Sequence, residues 1–110
     1  KLVDVCEDGC ARNLTDGIIR ARYRDSMSSP TLLDPGEVYE YTIDLWATSN
    51  VFKAGHRIRV EVSSSNFPRF DRNTNTGNTI AEDTEFKPAM QTVLHTSQHP
   101  SHITLPIVPL

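Results

Sequence analysis

The sequence of 110 residues lacks long hydrophobic runs, a strong charge of either sign and an abundance of aromatic residues. No apolar run approaches the roughly 20 residues that a membrane helix needs, which argues against a membrane span. The formal net charge of -3 argues against a dedicated nucleic-acid binder, because such a protein needs a basic face. Hydrophobic residues make up 37% of the chain, enough for a modest core, so we expect residues 1–110 to form a single domain.

Cysteine is scarce, and the two cysteines, Cys6 and Cys10, bracket Glu7-Asp8-Gly9. A three-residue hairpin loop with a left-handed Gly9 would place the thiols directly opposite each other, where they could bond. A two-residue loop at Asp8-Gly9 would instead point them to opposite faces, and two unpaired thiols are the simpler interpretation. The spacing is a weak metal signal, so we predict no metal or cofactor, and the cellular compartment stays open.

Strand signals dominate the remainder of the chain. In residues 38–46, Tyr39, Tyr41 and Ile43 alternate with polar residues, which sorts the two kinds of side chain onto opposite faces of a strand. This period of two predicts six strands, at residues 2–6, 18–24, 38–46, 57–63, 91–96 and 102–108. No segment has helical periodicity. The sequence therefore predicts an all-β sandwich.

The strand at residues 57–63 is predicted to turn Ile58, Val60 and Val62 inward and the charged residues between them outward. Six strands make a thin sandwich, because a two-sheet jelly roll has about eight. We therefore expect the first strands of the domain to lie upstream of Lys1, which makes this chain the C-terminal part of a longer β-sandwich.

No hydrolase nucleophile motif occurs in the chain. The Ser63-Ser64-Ser65 run follows a predicted strand, but no glycine flanks it and Pro68 prevents a helix, so these hydroxyls should bond backbone groups. His99 and His102 flank Pro100-Ser101, which predicts a turn with an imidazole capping loop backbone rather than a metal pair. We expect neither catalytic nor metal-binding residues here.

Residues 64–88 interrupt the strand pattern with a long polar loop. Its Asp71, Asn73, Asn75 and Glu82 are spaced like calcium ligands, but Gly77 stands seventh where an EF-hand needs glycine sixth. The composition instead favours a loop held by Asn and Asp side-chain bonds to backbone. Structureless loops of this length are uncommon in compact domains and tend to be functional or docked.

Five segments, in this order and spacing, together resemble one protein family. They are residues 16–24, 35–39, 55–60, 63–73 and 99–102. The chain resembles the C-terminal domain of X-Pro dipeptidyl-peptidase-like (S15) hydrolases, a group of esterases, acylases and dipeptidyl-peptidases. The resemblance implies a jelly-roll β-sandwich similar to galactose-binding domains. It also implies an α/β-hydrolase partner domain that carries the catalytic Ser-Asp-His triad, so this chain would be non-catalytic.

A docking role for the long loop follows from this resemblance. We expect residues 66–88 to contact the hydrolase domain through Phe67, Phe70 and Arg72, because aromatics and Arg are enriched at interface cores. Trp46, on the polar face of its predicted strand, is a further candidate contact. An incomplete sandwich also exposes sheet edges, which invite pairing with a second copy of the chain.

Two other functions compete with the accessory role. An independent carbohydrate-binding module would present Trp46 and tyrosines as an exposed stacking platform, although the alternation of Tyr39 and Tyr41 with polar residues favours their burial. A hydrolase active site within the chain would need a serine beside a base, and the sequence offers no such arrangement.

Overall fold

The computed structural model describes residues 1–109 and contains one antiparallel sheet of three short strands. These are β1 (Leu2–Val5), β2 (Ala11–Thr15) and β3 (Arg57–Val60), in the order β2-β1-β3. The one helical element within residues 1–109 is a 3-10 turn at Ala21–Tyr23. The all-β prediction is confirmed, and no helix in the described residues is long and apolar enough to cross a membrane.

The described chain divides into two compact units, Lys1–Ser63 and a second that begins at Ser64. The first unit contains the sheet. In the second, residues 64–109 form loops and turns, with an isolated antiparallel bridge between His95 and Pro100. A single domain over residues 1–110 stays a prediction.

The central strand β1 forms the core of the first unit. Its Leu2, Val3 and Val5 are the buried hydrophobic residues, each at most 3% exposed. The strand pairs on one side with β2, where Asp4 lies opposite Arg12, and on the other with β3, where Asp4 lies opposite Ile58. Burial of each apolar side chain stabilises the sheet by roughly 2 kcal/mol, so most of the local stability originates in this one strand.

The β1–β2 hairpin has the three-residue loop that the first of the two sequence alternatives requires. The Cys6 amide donates to the Cys10 carbonyl at 2.8 Å, and the Gly9 amide donates to the Cys6 carbonyl at 3.0 Å. Gly9 has a φ of 88°, a left-handed conformation that glycine adopts without strain. Both cysteines are free thiols in the structure.

β3 confirms the first four residues of the predicted strand at residues 57–63, but the prediction that its apolar side chains are buried is wrong. Ile58, Val60 and Val62 are 53%, 49% and 66% exposed. β3 is an edge strand of the described sheet, and no second layer within residues 1–109 covers these side chains enough to bury them. The alternation of apolar and polar residues indicates which face of a strand would be buried, but burial also requires a second layer of residues packed on that face.

Four other predicted strands, at residues 18–24, 38–46, 91–96 and 102–108, are not hydrogen-bonded strands in the structure. In the first, the chain turns instead, and the Tyr23 amide donates to the Arg20 carbonyl at 2.8 Å. Conversely, β2 was not predicted. A ladder needs a neighbouring strand in register, which alternation in one segment does not guarantee.

Residues 38–46 nevertheless keep part of the predicted alternation between less exposed and more exposed side chains. Tyr39, Tyr41 and Leu45 are half-buried, while the polar residues between them are exposed. The Leu45 carbonyl accepts a hydrogen bond from the Thr15 hydroxyl at the end of β2. A Cβ at Gly17 would collide with the Asp44 carbonyl oxygen, so only glycine permits this close approach of the two backbones.

A buried hydrogen bond between a carboxylate and an imidazole connects β1 to the start of β3. Asp4 Oδ1 lies 2.8 Å from His56 Nδ1, and their side chains are 4% and 14% exposed. His56 follows a turn at residues 53–55, where its amide donates to the Lys53 carbonyl at 3.1 Å. The sequence gives no indication of the partner of the imidazole, which is 52 positions away.

Replacing His56 with alanine should lower the free energy of unfolding by ~2 kcal/mol, because Asp4 would stay buried without its partner. Urea denaturation of the chain measures this change. The matched control is His99→Ala, which removes an exposed imidazole and should leave the stability nearly unchanged. Equal losses in the two variants would contradict a stabilising role for the pair.

Candidate functional site

The long polar loop is organised around the carboxylate of Asp83. This carboxylate accepts hydrogen bonds from the hydroxyls of Thr76 and Thr74, and from the Glu85 amide at 3.1 Å. Thr74 is only 3% exposed. The bonds from Thr76 and Thr74 hold the pKa of Asp83 below its ordinary value, and partial burial opposes them. The loop therefore contains a hydrogen-bonded centre.

Asparagine side chains close the same loop at its ends. The Asn75 side-chain amide donates to the Lys87 carbonyl at 2.9 Å, and the Lys87 backbone amide donates to the Thr74 carbonyl at 2.9 Å. The Asn75 amide also donates to Asn73 Oδ1 at 3.2 Å, and Asn75 has a left-handed φ of 58°. The prediction of a loop held by Asn and Asp bonds to backbone is confirmed.

Arg72, one of the predicted docking residues, stacks on an aromatic ring of the loop. Its guanidinium carbon lies 4.7 Å from the centroid of the Phe86 ring. Phe86 remains 56% exposed, so the stacked pair presents a cationic and apolar surface to solvent. Sequence reasoning missed Phe86, because its partner is far along the chain. The sequence signal that could have identified the pair is the presence of an arginine and an aromatic residue near the two ends of one polar loop.

The other two predicted docking residues of this unit differ in exposure. Phe67 is 68% exposed, and its amide donates to Ser65 Oγ at 3.2 Å. Phe70 is half-buried, with the guanidinium carbon of Arg69 5.3 Å from its ring centroid. The Ser65 bond confirms the prediction that serines of the 63–65 run bond backbone groups.

Trp46 belongs to the first unit and is 76% exposed. Its φ is 63°, a left-handed conformation that bulky residues adopt at an energetic cost. Its amide donates to Asp44 Oδ1 at 2.7 Å, so a local side-chain bond supports the turn. The backbone thus holds the largest aromatic side chain of the protein out in solvent.

Two of the histidines, His56 and His102, bond a carboxylate and a backbone carbonyl through their rings. His102 Nδ1 donates to the Pro100 carbonyl at 3.0 Å, which confirms the predicted turn with a capping imidazole. Within residues 1–109, no group of three or more His, Cys, Asp or Glu residues is arranged to hold a metal ion. Glu82, Asp83 and Glu85 line a shallow polar depression of the second unit.

Comparison with known proteins gives two matches. Residues 1–104 match the model of a family described as the X-Pro dipeptidyl-peptidase C-terminal non-catalytic domain. The chain is also 56% identical over 110 residues to a cocaine esterase from Rhodococcus sp. (strain MB1 Bresler). That alignment covers 98% of this chain but only 19% of the relative, so the chain spans about a fifth of that protein's length.

The hydrogen bonds to Asp83 predict that the Thr76 hydroxyl controls the pKa of this carboxyl group. Because the folded-state pKa lies below the ordinary 3.8, the contribution of the carboxylate to loop order is present above that pH and lost as the pH falls through the lowered value. Thr76→Val should raise the pKa of Asp83 toward 3.8, as followed by carboxyl NMR titration.

The control for this titration is Thr84→Val, because the Thr84 side chain is an exposed neighbour of Asp83 in the same loop. It should leave the titration of Asp83 in place. Indistinguishable curves for the two variants would contradict the central role of the Thr76 hydroxyl.

Proposed function

Because the chain belongs to the family of X-Pro dipeptidyl-peptidase C-terminal non-catalytic domains, we propose that it is the accessory domain of a larger serine hydrolase of the esterase, acylase or dipeptidyl-peptidase class. It packs on an α/β-hydrolase domain and supports the walls of an active site located there. The hydrolase breaks an ester or amide bond through an acyl-enzyme whose serine lies outside this chain. The non-catalytic family match supports this division of labour.

The observation that carries the proposal is the exposure of large apolar side chains. About two thirds or more of the surface is exposed in the following residues: Trp46, Val51, Val62, Phe67, Met90, Ile107 and Val108. Single exposed apolar side chains are ordinary on a protein surface, so the relevant feature is their number relative to the buried ones. The buried hydrophobic residues within 1–109, in contrast, are only Leu2, Val3 and Val5. Such a distribution fits a domain whose apolar surface is covered by another part of a longer protein.

The proposed complete fold is a jelly roll similar to galactose-binding domains. Two features support it. Both neighbours of β1 are edge strands within the described residues, and Ile58 and Val60 of β3 are half exposed. Further strands beside β2 or β3, and a second layer over β3, would pair the edges and cover these side chains. The edges also allow pairing with a second copy of the chain.

Docking is proposed to use residues 66–88, with Phe67, Phe70 and Arg72, and separately Trp46. Arg72 contributes through its stack on Phe86, which presents charge and apolar surface together. Phe67 and Trp46 contribute exposed aromatic area, the kind of surface that dominates interface energetics. Phe70 is half-buried and contributes the supporting part of the surface.

Trp46→Asn is the sharpest test of docking, because asparagine tolerates the left-handed backbone while the apolar ring is lost. In the complete hydrolase, the thermal midpoint should fall by ~2–4 °C, as expected for a lost contact worth about 1 kcal/mol in a large domain. In the isolated chain, the same substitution should leave the midpoint unchanged or raise it. Scanning calorimetry of both proteins measures the difference.

The matched control is Met27→Asn, which removes an apolar side chain that is 85% exposed and lies outside the proposed docking residues. It should leave both midpoints in place. The docking role of Trp46 would be wrong if Trp46→Asn and Met27→Asn behaved alike in the complete hydrolase.

The exposure of Trp46 also favours one alternative, a carbohydrate-binding module, because sugars stack on open aromatic rings. The tyrosines weigh against a wider platform. The guanidinium carbon of Arg24 lies 4.7 Å from the Tyr39 ring centroid, and the Tyr39 hydroxyl accepts the Asp34 amide at 2.9 Å. Tyr41 is half-buried.

Calorimetric titration of the chain with a panel of glycans separates the two functions. The accessory role predicts flat titrations for the natural chain and for Trp46→Asn alike. Heat of binding that disappears in Trp46→Asn would establish the carbohydrate-binding function instead.

A further inference from the structure

The two cysteines of the chain occupy paired positions at the end of the β1–β2 ladder. The ladder places Val5 opposite Ala11, and the next pair outward is Cys6 and Cys10, joined by the 2.8 Å bond from the Cys6 amide to the Cys10 carbonyl. Directly opposite residues in an antiparallel pair have Cα atoms about 4.5–5.5 Å apart. That separation lies within the range of about 4.4–6.8 Å that a disulfide spans.

The two thiols differ in access to solvent. Cys10 is exposed, whereas Cys6 is half-buried. Burial raises the pKa of the Cys6 thiol above its ordinary value, and the charge of Arg12 opposes this in part. A small oxidant therefore meets Cys10 first, and Cys6 lies in position to react second.

We propose that Cys6 and Cys10 form a reversible dithiol–disulfide site at the tip of the β1–β2 hairpin, oxidised by low-molecular-weight disulfides. The inference rests on the hairpin geometry and is independent of the proposed accessory function. It assigns a modification site to a segment that the docking proposal leaves unused.

The exchange proceeds in two balanced steps. The Cys10 thiolate attacks one sulfur of the small disulfide, forming a mixed disulfide and releasing one small thiolate. The Cys6 thiolate then attacks the Cys10 sulfur, forming the Cys6–Cys10 bond and breaking the bond to the second small thiolate. The two protons from the cysteines end on the two released thiols. The protein loses two electrons, and the small disulfide gains them.

Closure of the bond would fix the tip of the hairpin, which lies against a second turn of the same unit. Gly55 has a φ of 80°, and the position that a Cβ would take there is already occupied by the Glu7 carboxylate. Glu7 is the residue between Cys6 and Asp8 in the loop. The hairpin tip that the disulfide would close is thus in contact with the turn that precedes β3.

The test is exposure of the full chain to glutathione disulfide at neutral pH, followed by denaturing alkylation and mass spectrometry. The main product should be lighter by two hydrogen atoms, with neither cysteine alkylated and with Cys6 linked to Cys10 in peptide maps. Dithiothreitol should restore both thiols. A stable glutathione adduct on Cys10, or a disulfide-linked dimer, as the main product would overturn the proposal.

A Cys6→Ser variant should stop at the glutathione adduct on Cys10, and an unreactive Cys10 in this variant would overturn the assigned order. A second pair of variants tests the need for the folded hairpin. Gly9 and Gly36 both have a φ of 88° and open space around the Cβ position. Gly9→Ala should slow closure several-fold and Gly36→Ala should not; equal rates would refute a site built by the hairpin.

Discussion

The pairing of β1 on both of its edges is the constraint on which the described sheet depends. Leu2, Val3 and Val5 can be buried only if β2 and β3 occupy the two sides of their strand. The β2 side is secured locally, by a three-residue turn. The strand on the other side, β3, comes from a distant part of the chain. The Asp4–His56 pair, whose residues are 52 positions apart, lies where that strand begins. A buried carboxylate on the central strand thus favours one register of the sheet over its neighbours.

The parts of the fold that could be predicted from sequence are those fixed by local chemistry. The left-handed Gly9 and the apolar residues of β1 indicate a hairpin, and alternation indicates β3. The parts that could not be predicted depend on partners. Residues 38–46 keep the burial of Tyr39 and Tyr41 without forming a ladder, because burial is a property of one side chain whereas a ladder requires a second strand.

The candidate site divides in the same way. The bonding of Asn73 to loop backbone was predictable, since its side chain accepts from the amide of Asn75, only two residues away. The stacking of Arg72 on Phe86 and the convergence of Thr74 and Thr76 on Asp83 join residues separated by longer loops. No spacing rule anticipates such contacts, because they depend on how the loop closes. The exposure of Phe67 was equally beyond the pattern, whereas the exposure of Trp46 agrees with its position on the polar face of the predicted strand.

The internal order of the loop bears directly on its proposed use. Binding through a flexible loop loses free energy when the backbone and side chains become ordered. Here the Asp83 and Asn75 hydrogen bonds already order the backbone before any partner is met. Phe86, 56% exposed beneath the Arg72 guanidinium, is therefore presented from a hydrogen-bonded frame rather than from a mobile segment. The Asn, Asp and Thr side chains of this loop form hydrogen bonds within the loop, so its aromatic and arginine side chains are left for contact with another domain. For this reason, docking explains the loop better than ligand capture in the shallow polar depression.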